Sequence, residues 1–76
     1  MKDFVLFILE SIVDHPESVD VSEEVTDSET KLTISVHQDD IGQVIGKNGR
    51  IIRSIRSLVG ILATQQGTYC RVEIAE

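Results

Sequence analysis

The sequence predicts an α+β fold in two layers, with helices covering one face of a three-stranded sheet. Two segments alternate apolar and polar residues with a period of two: Leu32, Ile34 and Val36 in one, Cys70, Val72 and Ile74 in the other. Residues 2–14 and 49–66 instead carry apolar residues in the pattern of helices. The chain has 76 residues, enough for one domain over 1–76 and no more.

Residues 2–14 open the chain as a helix whose apolar stripe, Phe4 to Leu9 with Ile12 and Val13, is wider than one core face requires. Asp3 meets the positive end of the helix dipole, and Pro16 disfavours helical geometry at His15, so the helix stops there. Ser18 to Thr26 is expected as a strand, with Val19, Val21 and Val25 at period two and Glu23 breaking the face. Asp27-Ser28-Glu29 supplies turn chemistry. Thr30 to His37 is the clearest strand, and the two pair as an antiparallel hairpin. Asp39 and Asp40 stand at a helix start, where carboxylates cap exposed amides. A short helix follows to Ile45, then the Gly46-Lys47-Asn48-Gly49 loop, then a long helix to Gln66 with Ile51, Ile52, Ile55, Leu58, Val59 and Leu62 as its apolar positions. Gly67 ends that helix as a C-terminal cap. The last strand, Thr68 to Ala75, turns Cys70, Val72 and Ile74 inward.

Composition narrows the functional classes. Cys70 is the single cysteine, so no internal disulfide staples the domain, and two separated histidines, His15 and His37, match no metal-ligand spacing. Packing or oligomerisation is left to stabilise so small a core. No apolar run has the length of a signal-peptide core or a membrane span, and a lone thiol fits a reducing, cytosolic setting. Neither histidine has a visible Cys, Ser or acid partner that suggests catalysis, and there is no candidate cofactor. Cys70 reads as a small core residue and Tyr69 as a strand tyrosine or a stacking surface.

The net charge of -6 argues against a nucleic-acid partner until its distribution is considered. Residues 1–40 hold 2 basic against 11 acidic residues; residues 41–76 hold 5 against 2. The basic residues gather around the glycine loop: Lys47 within it, Arg50, Arg53 and Arg56 following at intervals of three. Glycines let a chain bend sharply and approach a ligand closely, and the first amides of the following helix can donate to phosphate. The phosphate-binding P-loop fails here, because three residues separate Gly42 from Gly46 and Asn48 follows Lys47. The dinucleotide fingerprint fails because Val44 stands where it needs a glycine. An Asn48-Gly49 hairpin turn conflicts with the helical period on both sides.

Ile45-Gly46-Lys47-Asn48-Gly49-Arg50 followed by Ile51-Ile52 resembles the signature of the KH domain, and the element order α-β-β-α-α-β resembles its type II form. The likeness covers the whole chain. It is closest to the short bacterial KH proteins of the KhpA (YlqC-like) family, down to the Gln66-Gly67 helix end and the Arg71-Val72-Glu73-Ile74 strand. The resemblance implies a loop that grips the backbone of about four nucleotides of single-stranded RNA. It implies bases lying in a shallow apolar groove floored by Ile41, Val44, Ile45 and Ile52. The site residues carried over are Ile45, Gly46, Lys47, Asn48, Gly49, Arg50, Ile52 and Arg53. It also implies a dimer, with itself or with a larger KH-containing protein of the Jag/KhpB type, and a role as RNA chaperone or post-transcriptional regulator. Residues 64–69 lack the lysines expected there, so the basic track is short and a single copy binds weakly. Two rival readings remain: a protein-interaction subunit with negligible RNA affinity, which the acidic half favours, and a helix-turn-helix DNA binder, which the flanking strands disfavour.

Overall fold

A computed structural model describes residues 1–75. Its elements are α1 (Lys2–Ile12), β1 (Asp20–Val25), β2 (Thr30–Ser35), α2 (Ile41–Ile45), α3 (Arg50–Gln65) and β3 (Cys70–Ile74), with 3-10 turns at Pro16–Ser18, Gln38–Asp40 and Lys47–Gly49. The sheet has the order β1-β2-β3. β1 and β2 form the expected antiparallel hairpin, Val21 opposite Ile34 and Glu23 opposite Leu32. β2 and β3 run parallel, Leu32 opposite Val72 and Ile34 opposite Ile74. Parallel neighbours need a crossover, and α2, the glycine loop and α3 supply it. The expected α+β architecture and element order are those observed.

The core lies between the sheet and the helices. Val5 and Leu9 of α1, Val44 of α2, and Ile52, Ile55 and Val59 of α3 pack on Val21, Leu32, Ile34 and Val72. Each fully buried aliphatic side chain contributes about 1.5–3 kcal/mol relative to exposure, which offsets the conformational entropy of so short a chain. On the opposite face Lys31 and Glu73 pair at 3.4 Å, and Arg71 meets Glu29 at 3.4 Å and Glu73 at 3.6 Å. These exposed pairs contribute little to stability.

Several expectations need correction. α1 ends at Ile12, because Val13 is already extended (φ -97°, ψ 160°) and Pro16 opens a 3-10 turn. That turn takes Ser18 and Val19 out of β1, and Val25, at the hairpin's far end, is 69% exposed. Ile51 and Leu58 of α3 are exposed too, since six apolar positions make a stripe wider than the sheet can cover. Asp40 makes no helix cap and instead is buried, bonded to His15. The side-chain cap here belongs to the 3-10 turn Gln38–Asp40: His37 Nδ1 accepts from the Asp39 amide at 3.0 Å. Gly67 (φ 73°) ends α3 as expected: its amide donates to the Thr64 carbonyl, and the Thr68 amide to that of Ala63. This is the paired bonding of a left-handed C-terminal cap.

Candidate functional site

The glycine loop is fixed by its backbone. Gly46 (φ 78°, ψ 174°) occupies a region essentially closed to other residues. A Cβ on it would sit 2.6 Å from Cγ1 of Ile51 and 2.9 Å from the Ile51 amide nitrogen, so the first glycine is required for conformation and for space. Asn48 (φ 56°, ψ 27°) and Gly49 (φ 71°, ψ 18°) are left-handed, and asparagine is among the few side chains that tolerate this. A Cβ at Gly49 would meet open space, so only its φ constrains it.

The loop's polar groups divide into two sets. The Gly46 amide donates to the Gly42 carbonyl, the Gly49 amide to Gly46 and the Arg50 amide to Lys47. Two donors expected to face a ligand are thus spent inside the turn. The amides of Lys47 and Asn48 find no carbonyl partner in the loop or its flanks among the described residues. Both residues are exposed at the tip. Donors left without internal partners beside a helix N-terminus favour an anion.

The arginines also divide. Arg53 turns back, its Nε donating to the Gly49 carbonyl at 3.2 Å and its Nη2 to the Asn48 carbonyl at 2.7 Å. It fastens the two left-handed residues and adds positive charge behind them. Arg56 donates from Nε to the Val72 carbonyl at 3.2 Å, tying α3 to β3. Lys47 and Arg50 are exposed and pair with no carboxylate among the described residues. The expected track of arginines is therefore two outward cations with a third braced beneath them.

One shallow groove adjoins the loop and another lies at the far end of α2. One runs along α3, lined by Arg50, Arg53, Ser54, Ser57 and Leu58. The other lies at the start of α2, lined by Ser35, Val36, Gln38, Ile41 and Ala75. It includes Ile41, the first residue of α2, so four residues, 42–45, separate it from the loop, a span of about 6 Å. Of the expected groove floor, Ile41 lines this surface and Ile45 is half-buried against the core. Val44 and Ile52 are core side chains, 0% and 6% exposed, which seat α2 and α3 on the sheet and offer no surface to a ligand.

At the other end of α2, His15 and His37 come together although the sequence separates them. Their rings stack with centroids 3.9 Å apart. Asp40, 1% exposed, accepts from the His15 amide at 2.9 Å and lies 3.1 Å from its Nδ1. The Asp40 hydrogen bond holds the His15 pKa above its ordinary value, against the opposing effect of burial. Burial pushes the Asp40 carboxyl up, but hydrogen bonds from the amide and ring of His15, helped by the nearby Asp14 amide, outweigh it and hold it low. Cys70 is held in its neutral form: burial, then the charge of Glu23, raise its thiol pKa, as suits a packing residue rather than a nucleophile. No helix among the described residues is long and apolar enough to cross a membrane.

A sequence model described as the KH domain of KhpA/KhpB matches residues 2–74. The chain is similar to the RNA-binding protein KhpA of Listeria monocytogenes, 41% identical over 76 residues that span the whole of both chains. It is 38% identical to the RNA-binding protein KhpA of Bacillus subtilis over 74 residues, 97% of this chain and 91% of that one. With the RNA-binding protein KhpA of Chlamydia caviae it shares 37% over 76 residues, 100% and 97% of the two chains. A full-length match of this kind, on a mixed three-stranded sheet with a glycine loop between its last two helices, shows that the chain belongs to the KhpA/KhpB family of KH-domain proteins.

Proposed function

We propose that residues 1–76 form one KH domain that binds single-stranded RNA through the 46–49 loop, without enzymatic activity, as a cytoplasmic RNA chaperone or post-transcriptional regulator. The observation that carries this is the loop tip. The free amides of Lys47 and Asn48, the exposed side chains of both, and the unpaired Arg50 all stand beside a bend that only Gly46 can make. Gly46, Lys47, Asn48 and Gly49 grip phosphate, Arg50 supplements their charge and Arg53 holds the bend. Bases lie along α2, over Ile41 in the groove at its start and over Ile45 at its end. The curated names of the full-length relatives support RNA as the ligand.

The chain works as a pair, with a second copy or with a larger KH protein of the Jag/KhpB type. Apolar side chains left on the surface support this: Phe7 is 70% exposed, Ile61 58%, Tyr69 61% and Leu58 45%. The same surface, with the net charge of -6, favours the second reading, a protein-interaction subunit with negligible RNA affinity.

Titration of labelled single-stranded RNA, single-stranded DNA and duplex DNA separates these readings. RNA binding that Lys47→Asp/Asn48→Asp abolishes, with circular dichroism unchanged, supports the proposal. Log affinity falls with log salt at a slope of about -1.4 to -2 if two or three phosphates are neutralised. No binding by the folded wild-type protein supports the interaction subunit, and a preference for duplex DNA overturns both.

A further inference from the structure

We propose that His15, His37 and Asp39 form a binding site for a divalent transition metal of the Zn²⁺ class at the base of α2. Their potential ligand atoms lie within 4.8 Å of one another. A tetrahedral site with bonds of about 2.0–2.1 Å places ligand atoms about 3.4 Å apart, so closure is a matter of side-chain adjustment. His37 Nδ1 and Asp39 Oδ2 are already 3.7 Å apart, and an ion bound at that nitrogen displaces the Asp39 amide, which now donates to it at 3.0 Å. The three side chains are 36%, 38% and 75% exposed, which gives an ion access and the rings room to turn.

Asp40 supplies the independent support. Its Oδ2 lies 3.1 Å from His15 Nδ1, which holds the ring proton on that nitrogen and leaves Nε2 with its lone pair free. A carboxylate behind a histidine is how metal sites fix the tautomer and orientation of a ligand. Asp40 Oδ1 is buried with no hydrogen-bond partner, so this carboxylate holds negative charge that its donors do not fully satisfy. A cation on the far side of the His15 ring compensates it. The rings stack with planes only 13° apart, so one ring must rotate before in-plane lone pairs of both can converge on an ion. Two imidazoles and a carboxylate, with water in the fourth position, suit Zn²⁺, Co²⁺, Ni²⁺ or Cu²⁺; Mg²⁺ and Ca²⁺ prefer all-oxygen sets.

His15 lies between α1 and β1, whereas His37 and Asp39 lie between β2 and α2. An ion here clips two connections together in a domain that has no disulfide, and binding to the folded form alone raises its stability. Metal capture displaces protons from imidazole, so the test is run at about pH 8. Untagged full-length protein, stripped with EDTA, is titrated with Zn²⁺ by calorimetry and melted with and without the ion, with Mg²⁺ as control. The expected result is one Zn²⁺ per chain, displaced histidine ¹⁵N resonances, and no effect of Mg²⁺. At Zn²⁺ about 100-fold above the dissociation constant, Tm rises by about 10 °C or more. His37→Gln and Asp39→Asn, both at the surface, each weaken Zn²⁺ binding at least about 10-fold, and Cys70→Ser leaves it unchanged. Absence of saturable binding up to about 1 mM Zn²⁺ overturns the proposal. So does binding that survives His37→Gln or disappears in Cys70→Ser.

Discussion

The two ends of α2 are held by opposite means. At its start a buried carboxylate, Asp40, fastens the chain through side-chain chemistry, drawing in His15 from a distant connection. At its end the chain is shaped by backbone conformation, with Gly46, Asn48 and Gly49 at positive φ and Arg53 bonded to two of their carbonyls. The first arrangement keeps the helix on the core. The second leaves Lys47 and Asn48 exposed with their amides free. The anchor at Asp40 and the proposed phosphate-binding loop stand at opposite ends of α2, so each can be perturbed with the other as control.

The sharpest way to break the comparison is Gly46→Ala. The forbidden backbone and the clash with Ile51 together cost about 3 kcal/mol, and chemical denaturation should show that loss along with loss of RNA binding. Asp40→Ala comes next: it leaves the His15 amide without its acceptor, lowers stability by about 2 kcal/mol and leaves the salt slope of RNA binding unchanged, since the proposed phosphate contacts lie at the other end of α2. Gly49→Ala meets open space and strains φ alone, so about 1 kcal/mol is expected in the same assay. Arg53→Gln loosens the loop without removing an outward cation. RNA affinity should fall about 3–10-fold with the salt slope nearly unchanged, whereas Lys47→Ala reduces that slope by about 0.7. Arg53→Lys should not rescue, because an ammonium cannot span both carbonyls as the guanidinium does.

The smallest effect is one of pH, read in EDTA. The folded-state pKa of His15 is raised, so its contribution is complete below the ordinary value of 6.5 and is lost as pH rises through the folded value. The Asp40 pKa is lowered, so its contribution is present above 3.8 and is lost as pH falls through the folded value. Stability should therefore be greatest between these limits, and Asp40→Ala should flatten the decline on the alkaline side. A wild-type curve that keeps rising above neutral pH contradicts this assignment.

The fold was legible because periodicity reports burial directly. Leu32 and Ile34, and Ile52, Ile55 and Val59, are core residues at the spacings that predicted them. Gly67 was legible as a helix end because its chemistry is local. The sequence overreached where a stripe was wider than the layer beneath it, at Ile51 and Leu58, at Val19, which precedes the strand, and at Val25, which ends the strand in solvent. The glycine loop could be located from Gly46 to Gly49, but not how its donors are spent. Whether Arg53 reaches outward or back depends on carbonyl directions that residue types do not encode. The meeting of His15 with His37 and Asp40 left no signal, since a contact between two connections far apart in one sequence has no period. An aspartate at the mouth of a helix looks like a cap whether or not it becomes one.

The parallel pairing of β2 with β3 bears on how the chain reaches its native state. Thr30 sits beside Cys70, and Ile34 beside Ile74, so docking the third strand closes the whole segment between them. Closing so long a segment is slow compared with zipping the β1-β2 hairpin. The bend at Gly46 lies inside that segment. Altering it changes the speed of folding as well as the grip, and refolding kinetics will register damage there even in variants whose final structure survives.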